Sequence, residues 1–262
     1  MSEIFEGPEF EREPKAKVQR EATVVDGELL SQREYEYDRS GRRILERGSY
    51  GSVEKPEGFY EIEYGYDQEG RLVRKTETQK DEPMEGSGEV TVTEYRYDSN
   101  GRKIEESSRF TNEIGDHDIH PARSRYYYYD QNNRPIREEE VYFDVEDYEA
   151  HSAEQVTYKY NSEGAYVRTV SSGTEKSVSI FNAEGQKETF ESFDREGKLR
   201  FRTEYTNESG LPTKAKVVYD ASGEVMNTKE FEYDQHDNII RITTTYRDGK
   251  SLVEERRLEY TE

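Results

Sequence analysis

Residues 116–120 read Asp-His-Asp-Ile-His, the densest group of ionisable side chains in this sequence. Two imidazoles (His117, His120) and two carboxylates (Asp116, Asp118) suit a divalent transition metal, which could activate water for hydrolysis. The spacing lacks the helical His-Glu-x-x-His arrangement that sets two imidazoles on one face. No metal and no cofactor is therefore expected, and His117 and His120 are the candidates should one bind. His236 falls at a variable turn position and reads as background. The chain carries no nucleophile elbow, phosphate-cradling glycine loop or dinucleotide fingerprint. With 59 Asp and Glu residues, no glycosidase-like carboxylate pair can be singled out. The run Tyr126-Tyr127-Tyr128-Tyr129 invites stacking on a sugar or base, but strand alternation would send its rings to opposite faces. These readings describe a protein that is not an enzyme.

The elements that must position such residues come from an internal repeat. It reads Tyr35-Glu36-Tyr37-Asp38-Arg39-Ser40-Gly41 and returns at 64–70 and 95–101, then with substitutions at 127–133, 158–164 and 231–237. Aromatic residues two apart share one face of a strand. The Asp that follows can accept hydrogen bonds from backbone N–H groups ahead of it, and the Gly supplies the positive φ that closes a type I turn into a bulged hairpin. Asn133 and Asp237, which replace that Gly, tolerate the same left-handed region. The conspicuous Tyr and Asp residues are thus strand and turn residues first. Alternation continues in Leu29-Ser31-Arg33-Tyr35-Tyr37, in Tyr60-Ile62-Tyr64-Tyr66 and in Ile240-Ile242-Thr244-Tyr246. Only the acidic stretch 144–154 suggests a short helix.

The turn residues fall at 38, 67, 98, 130 and 161, then at 182, 194, 207, 220, 234 and 248. A separation of about 30 holds two strands and a second connection, whereas 12 to 14 holds one strand and a turn. The expected fold is all-β: an antiparallel meander of about 18 strands in one strongly twisted and curled sheet, because a wide flat sheet does not persist. A two-sheet sandwich is the alternative. The expected organisation is a flexible N-terminal lead-in over 1–20, long-period hairpins over 21–172, and a short-period meander over 173–262 continuing the same sheet. Ile, Leu, Val and Phe make only 46 of 262 residues and the net charge is −21, a balance that ordinarily leaves a chain disordered. The 22 tyrosines reverse that expectation, since each ring buries area while its hydroxyl stays wet. With no cysteine, disulfides and thiolate metal sites are excluded.

In the first two-thirds, tight turns should lie along one edge of the sheet and long loops, at 51–57, 80–88, 111–121 and 144–153, along the other. These loops carry twelve acids against Lys55 and Lys80. Met84, Asp116, Asp118, Ile119, Asp147 and Tyr148 are the expected contacts of a basic protein partner. The acidity argues against nucleic acid or an anionic membrane as partner. No signal-peptide pattern opens the sequence, so a cytoplasmic protein is the expectation, and no apolar run reaches the ~18 residues that cross a bilayer.

The units at 35–44, 64–73 and 95–104, with Arg42, Arg71 and Arg102 after the Gly, resemble the YD-repeat (Rhs-type) proteins of bacteria. The resemblance implies a β-sheet repeat scaffold, as in shells around toxin domains or in surface proteins. A short member without a toxin domain would serve as an immunity protein or effector chaperone. Other readings are a surface repeat protein with carbohydrate bound on exposed Tyr, and a metal-dependent hydrolase using His117 and His120. The later turns lose the consensus Arg to Gln186, Lys198, Leu211 and Glu224.

Overall fold

A computed structural model describes residues 17–52, 55–81, 89–112, 123–143, 150–173, 175–208, 210–219 and 222–260. Every regular element among them is a strand, and no helix is long and apolar enough to cross a membrane. The strands are β1 (Val18–Val25), β2 (Glu28–Tyr37), β3 (Arg43–Ser52), β4 (Lys55–Tyr66), β5 (Leu72–Asp81), β6 (Glu89–Tyr97), β7 (Lys103–Asn112), β8 (Arg123–Tyr129) and β9 (Pro135–Phe143). They continue as β10 (Ala150–Tyr160), β11 (Tyr166–Ser172), β12 (Glu175–Phe181), β13 (Lys187–Phe193), β14 (Leu199–Glu208), β15 (Leu211–Tyr219), β16 (Glu224–Tyr233), β17 (Ile239–Tyr246) and β18 (Ser251–Tyr260). The expected 18-strand antiparallel meander is therefore present.

All strands belong to one sheet, ordered β1-β10-β11-β12-β13-β14-β15-β16-β17-β18-β2-β3-β4-β5-β6-β7-β8-β9, with further pairings β1–β18, β1–β2 and β9–β10. This order corrects both sheet expectations. The meander is not open, because β9 pairs onward to β10 and β2 to β18, so neither presents the unpaired backbone edge that invites association. It is not a sandwich either, because two packed sheets would be separate hydrogen-bonded sets, whereas all eighteen strands pair within one. The expected helix at 144–154 also fails where it is described, since Ala150–Tyr160 is strand. Val156 in it is buried beside a period-2 alternation that pairing favours over helical propensity. The first expected long loop shrinks likewise. Gly51 and Ser52 end β3 and Lys55 opens β4, with Gly51 opposite Pro56.

Two compact units divide the described chain. A long-period unit holds 17–23, 28–155 and 258–260, and a short-period unit holds 24–27 and 156–257. In the long-period unit β2 to β9 pair consecutively, and each hairpin turn brings a register shift one residue before the Asp, as between Glu36 and Tyr37. In the short-period unit Ala215, Phe231, Ile239 and Ile242 form an apolar cluster, with Tyr205 and Tyr233 packed on it. Here the expected Ile240-Ile242 alternation is corrected. A bulge between Glu232 and Tyr233 sets Ile239 opposite Tyr233 and Ile242 opposite Phe231, so Ile239 takes the buried face.

Candidate functional site

Each long-period turn is closed by its own Asp. Asp98 Oδ1 accepts the backbone N–H groups of Asn100 and Arg102, each at 2.9 Å, and Gly101 N–H donates to the Asp98 carbonyl at 3.0 Å. Asp98 Oδ2 takes Arg102 Nε and Nη2 at 2.6 Å each. Asp38–Arg42, Asp67–Arg71 and Asp130–Arg134 repeat this arrangement. Backbone N–H donation from Arg102, then its guanidinium, holds the Asp98 carboxyl below the usual carboxylate range despite partial desolvation. Positive φ falls at Gly41, Gly70 and Gly101 and also at Asn133 and Asp237, as the substitutions require.

The same arginines reach forward. Arg42 lies over the Tyr66 ring at 4.9 Å, Arg71 over Tyr97 at 5.0 Å and Arg102 over Tyr129 at 5.0 Å. Each of those tyrosines donates its hydroxyl to a backbone carbonyl beside the preceding turn: Tyr66 to Arg43, Tyr97 to Leu72 and Tyr129 to Lys103, at 2.7 to 2.8 Å. Arg102 Nη1 also donates to Asn133 Oδ1 at 2.9 Å. The YD residues are thus joints, as their turn chemistry implies.

The tyrosine face between these joints is ionic. Tyr35 stands opposite Glu46, and Glu46 opposite Ile62. Glu46 is 7% exposed and accepts the hydroxyls of Tyr60 and Tyr64, both at 3.0 Å, and Arg43 Nη1 at 3.3 Å. Tyr35 donates to the buried Glu21 at 2.7 Å while the Arg43 guanidinium covers its ring at 4.4 Å. Burial first, and neighbouring carboxylates second, push the phenols of Tyr35, Tyr60, Tyr64 and Tyr127 far up. Farther along, Glu106 takes Lys103 at 2.9 Å and the Tyr127 hydroxyl at 3.0 Å. Glu140 takes Arg123 at 2.5 Å and Arg125 Nε at 2.9 Å. Burial pushes Glu106 and Glu140 up, but the hydrogen bonds from these cations outweigh it and hold both carboxyls below their ordinary value.

The sequence-predicted contacts Met84, Asp116, Asp118, Ile119, Asp147 and Tyr148, with His117 and His120, lie outside the described residues. Among the described residues no group of three or more His, Asp or Glu is placed to hold a metal ion. Of the four adjacent tyrosines, Tyr127 and Tyr129 face the ionic network while Tyr128 is exposed under Arg137. The buried acceptors Glu46 and Glu140, and the half-buried Glu106, were not singled out by motif or spacing. Their one signal is an acid three residues after a base (Arg43 to Glu46, Lys103 to Glu106), across a bulge.

No family model matches the chain, and no curated protein matches it. Solved structures do show likeness. A porin-like protein from Bacteroides uniformis is 10% identical, with a TM-score of 0.42, over 92% of this chain and 98% of its own. A porin-like protein from Bacteroides vulgatus is 12% identical, with a TM-score of 0.39, over 94% and 99%. A TcdB2-TccC3 structure is 12% identical, with a TM-score of 0.32, over 83% of this chain and 12% of its own.

Proposed function

We propose that the chain is a non-enzymatic, YD-type repeat scaffold that binds a basic protein partner along the sheet edge opposite its clamped turns. The parity of that edge carries the reading. Turns 38–42, 67–71, 98–102 and 130–134 close β2–β3, β4–β5, β6–β7 and β8–β9 at one end of the strands, each with its Asp neutralised by an Arg. The opposite strand ends lead into segments 53–54, 82–88, 113–122 and 144–149, which carry ten Asp and Glu and no Lys or Arg. Charge is compensated where the hairpins must be stiff, whereas the segments beyond the opposite strand ends supply no cation of their own. That pattern suits a basic partner. Asp116, Asp118 and Asp147 would give the charge, and Met84, Ile119 and Tyr148 the apolar contact. A toxin neutralised by an immunity protein, or an effector held by its chaperone, has the required chemistry. The carboxylates of the tyrosine face are taken up by their own chain, Glu46 by the Tyr60 and Tyr64 hydroxyls and Glu140 by Arg123 and Arg125, which supports a structural role for that face and leaves binding to the edge.

The test is calorimetric titration of the basic products of adjacent genes into the purified chain and into a joint D116N/D118N/D147N/Y148A variant. The wild type should bind with an affinity that falls as salt rises, and the variant should lose roughly tenfold or more. Unchanged affinity in the variant, or no binding of any basic product, overturns the reading.

A further inference from the structure

We propose that Asn100 is a site of spontaneous deamidation whose rate the Asp98–Arg102 clamp sets, so that the joint between the β6–β7 and β8–β9 hairpins loosens with age. Asn100-Gly101 is the only Asn-Gly step in the sequence. Both residues are exposed, at the tip of the turn from β6 to β7. The Asn100 backbone N–H donates to Asp98 Oδ1 at 2.9 Å, while its side-chain amide makes no hydrogen bond to any described residue. Gly101 has no side chain to obstruct its own nitrogen, and a Cβ built there would meet nothing within 4 Å. The chemistry of such a step is set by its atoms. The Gly101 backbone nitrogen, on losing its proton to hydroxide, adds to the side-chain carbonyl carbon of Asn100. A new C–N bond closes a cyclic imide, the bond to the side-chain nitrogen breaks, and ammonia leaves with a proton from water. Water then opens the imide at either carbonyl, leaving an aspartate or an isoaspartate at position 100. Nothing is oxidised or reduced.

The folded turn opposes the first of these steps. Gly101 N–H donates to the Asp98 carbonyl at 3.0 Å, and Arg102 N–H donates to Asp98 Oδ1 at 2.9 Å. The nitrogen that must attack is thus a donor held in place, released when the turn opens locally. The other clamped turns lack the step. Ser40 and Glu69 precede Gly41 and Gly70, and Asn132 precedes Asn133, whose Cβ crowds its nitrogen. Asp26 and Asp248 also precede Gly, but their side chains accept the N–H groups of Val253 and Lys250 at 3.2 and 3.0 Å. A carboxylate is also a weaker electrophile than an amide. Either product at position 100 sets a second carboxylate near Asp98 to compete for Arg102. Isoaspartate lengthens the turn backbone by a methylene as well, which takes Gly101 N–H out of register with the Asp98 carbonyl. Arg102 carries the disturbance forward, since it lies 5.0 Å from the Tyr129 ring and donates to Asn133 Oδ1 at 2.9 Å.

Ageing the purified full chain at mildly alkaline pH, folded and in urea, tests this. Peptide mass mapping and enzymatic labelling of isoaspartate read the product at each Asn. Product should gather at position 100 and not at 132, and the folded wild type should form it roughly tenfold or more slowly than the unfolded chain. D98A, which removes the side-chain acceptor of the turn, should raise the folded rate roughly fivefold or more, with its thermal midpoint showing that it is folded. D98N, which keeps an oxygen acceptor, should fall between D98A and wild type. N100S, which copies the Ser40-Gly41 step, should form no product at that position. Hydrogen exchange of the aged wild type should quicken at 98–102 and at 129–133, while N100S aged alongside stays unchanged. Absence of product at position 100 in the unfolded chain overturns the site. Equal rates in the folded and unfolded wild type, or folded D98A and D98N no faster than wild type, overturn the clamp as its control. Product at position 100 with exchange at 129–133 unmoved overturns the loosening of the joint.

Discussion

In the short-period unit, Ala215, Phe231, Ile239 and Ile242 meet as hydrocarbons. On the tyrosine face of the long-period unit, comparable positions hold Glu46, Glu106 and Glu140, each satisfied by phenols, an ammonium or guanidinium groups. The turns differ in parallel. Asp38, Asp67, Asp98 and Asp130 are clamped by arginine, whereas Asp194 accepts backbone N–H groups from Glu196 and Lys198 with no guanidinium at that position. Where the turn arginine stacks on the next tyrosine, cohesion is local and repeats from hairpin to hairpin. Where it is lost, an apolar cluster joining β15, β16 and β17 takes over. Buried ion pairs add little net stability over hydrocarbon of the same volume, yet breaking one is costly. The long-period unit is therefore specified by its polar network more than it is stabilised by it.

The most severe way to probe the contrast is Ile242→Ala in the apolar cluster, where the side chain is 1% exposed. It should cost about 3–4 kcal/mol through lost transfer energy and a cavity, measured by urea unfolding. Glu46→Ala should cost about 2–3 kcal/mol by stranding two phenols and a guanidinium. If it costs nothing, the ionic face is solvated and not cohesive. Gly48→Ala is a finer probe. A Cβ there would stand 2.5 Å from the Tyr60 ring, so the ring must leave Glu46, at about 1–2 kcal/mol.

Acid should open the long-period unit first. Glu77, Glu106 and Glu140 are pushed up by burial but held below their ordinary 4.5 by hydrogen-bonded and charged partners. A lowered folded pKa means that the unfolded chain binds protons more readily. Their contribution is complete above 4.5 and is lost as pH falls through the lower folded values. Hydrogen exchange stepped downward from pH ~5 should expose β5 to β9 before β13 to β17; the reverse order breaks the comparison. The smallest effect belongs to Asp98→Asn, which keeps an acceptor for the turn N–H groups but weakens the Arg102 pair. Faster exchange confined to 98–102, with the global midpoint unmoved, is the expected result.

Strand number, the turns of the long-period unit and the tyrosine face were legible because period-2 alternation and Asp-x-x-Gly spacing are local signals, whereas Asn207, expected in a turn, pairs with Pro212 at the end of β14. The ionic face was not, and the bulge explains why. Tyr37 pairs with Arg43 and Tyr35 with Glu46, so residues three apart share a face that strict alternation assigns to opposite sides. The same shift brings Lys103 and Glu106 together and replaced Ile240 by Ile239 in the apolar cluster. Closure of the strand order was equally hidden, since pairing of β2 with β18 depends on residues far apart in sequence. Of the predicted binding residues, the sequence states the charge, and the described strands state only the edge from which they extend.

Arg42, Arg71 and Arg102 each reach forward to the tyrosine of the following hairpin, whose hydroxyl reaches back to the strand beside the arginine's own turn. A pair of strands inserted or deleted between two such turns would meet the same guanidinium, ring and carbonyl on either side. Chains of this kind can therefore lengthen or shorten by recombination in two-strand steps without redesign of the joint. A one-strand step would carry the tyrosine to the opposite edge, away from the arginine of the preceding turn.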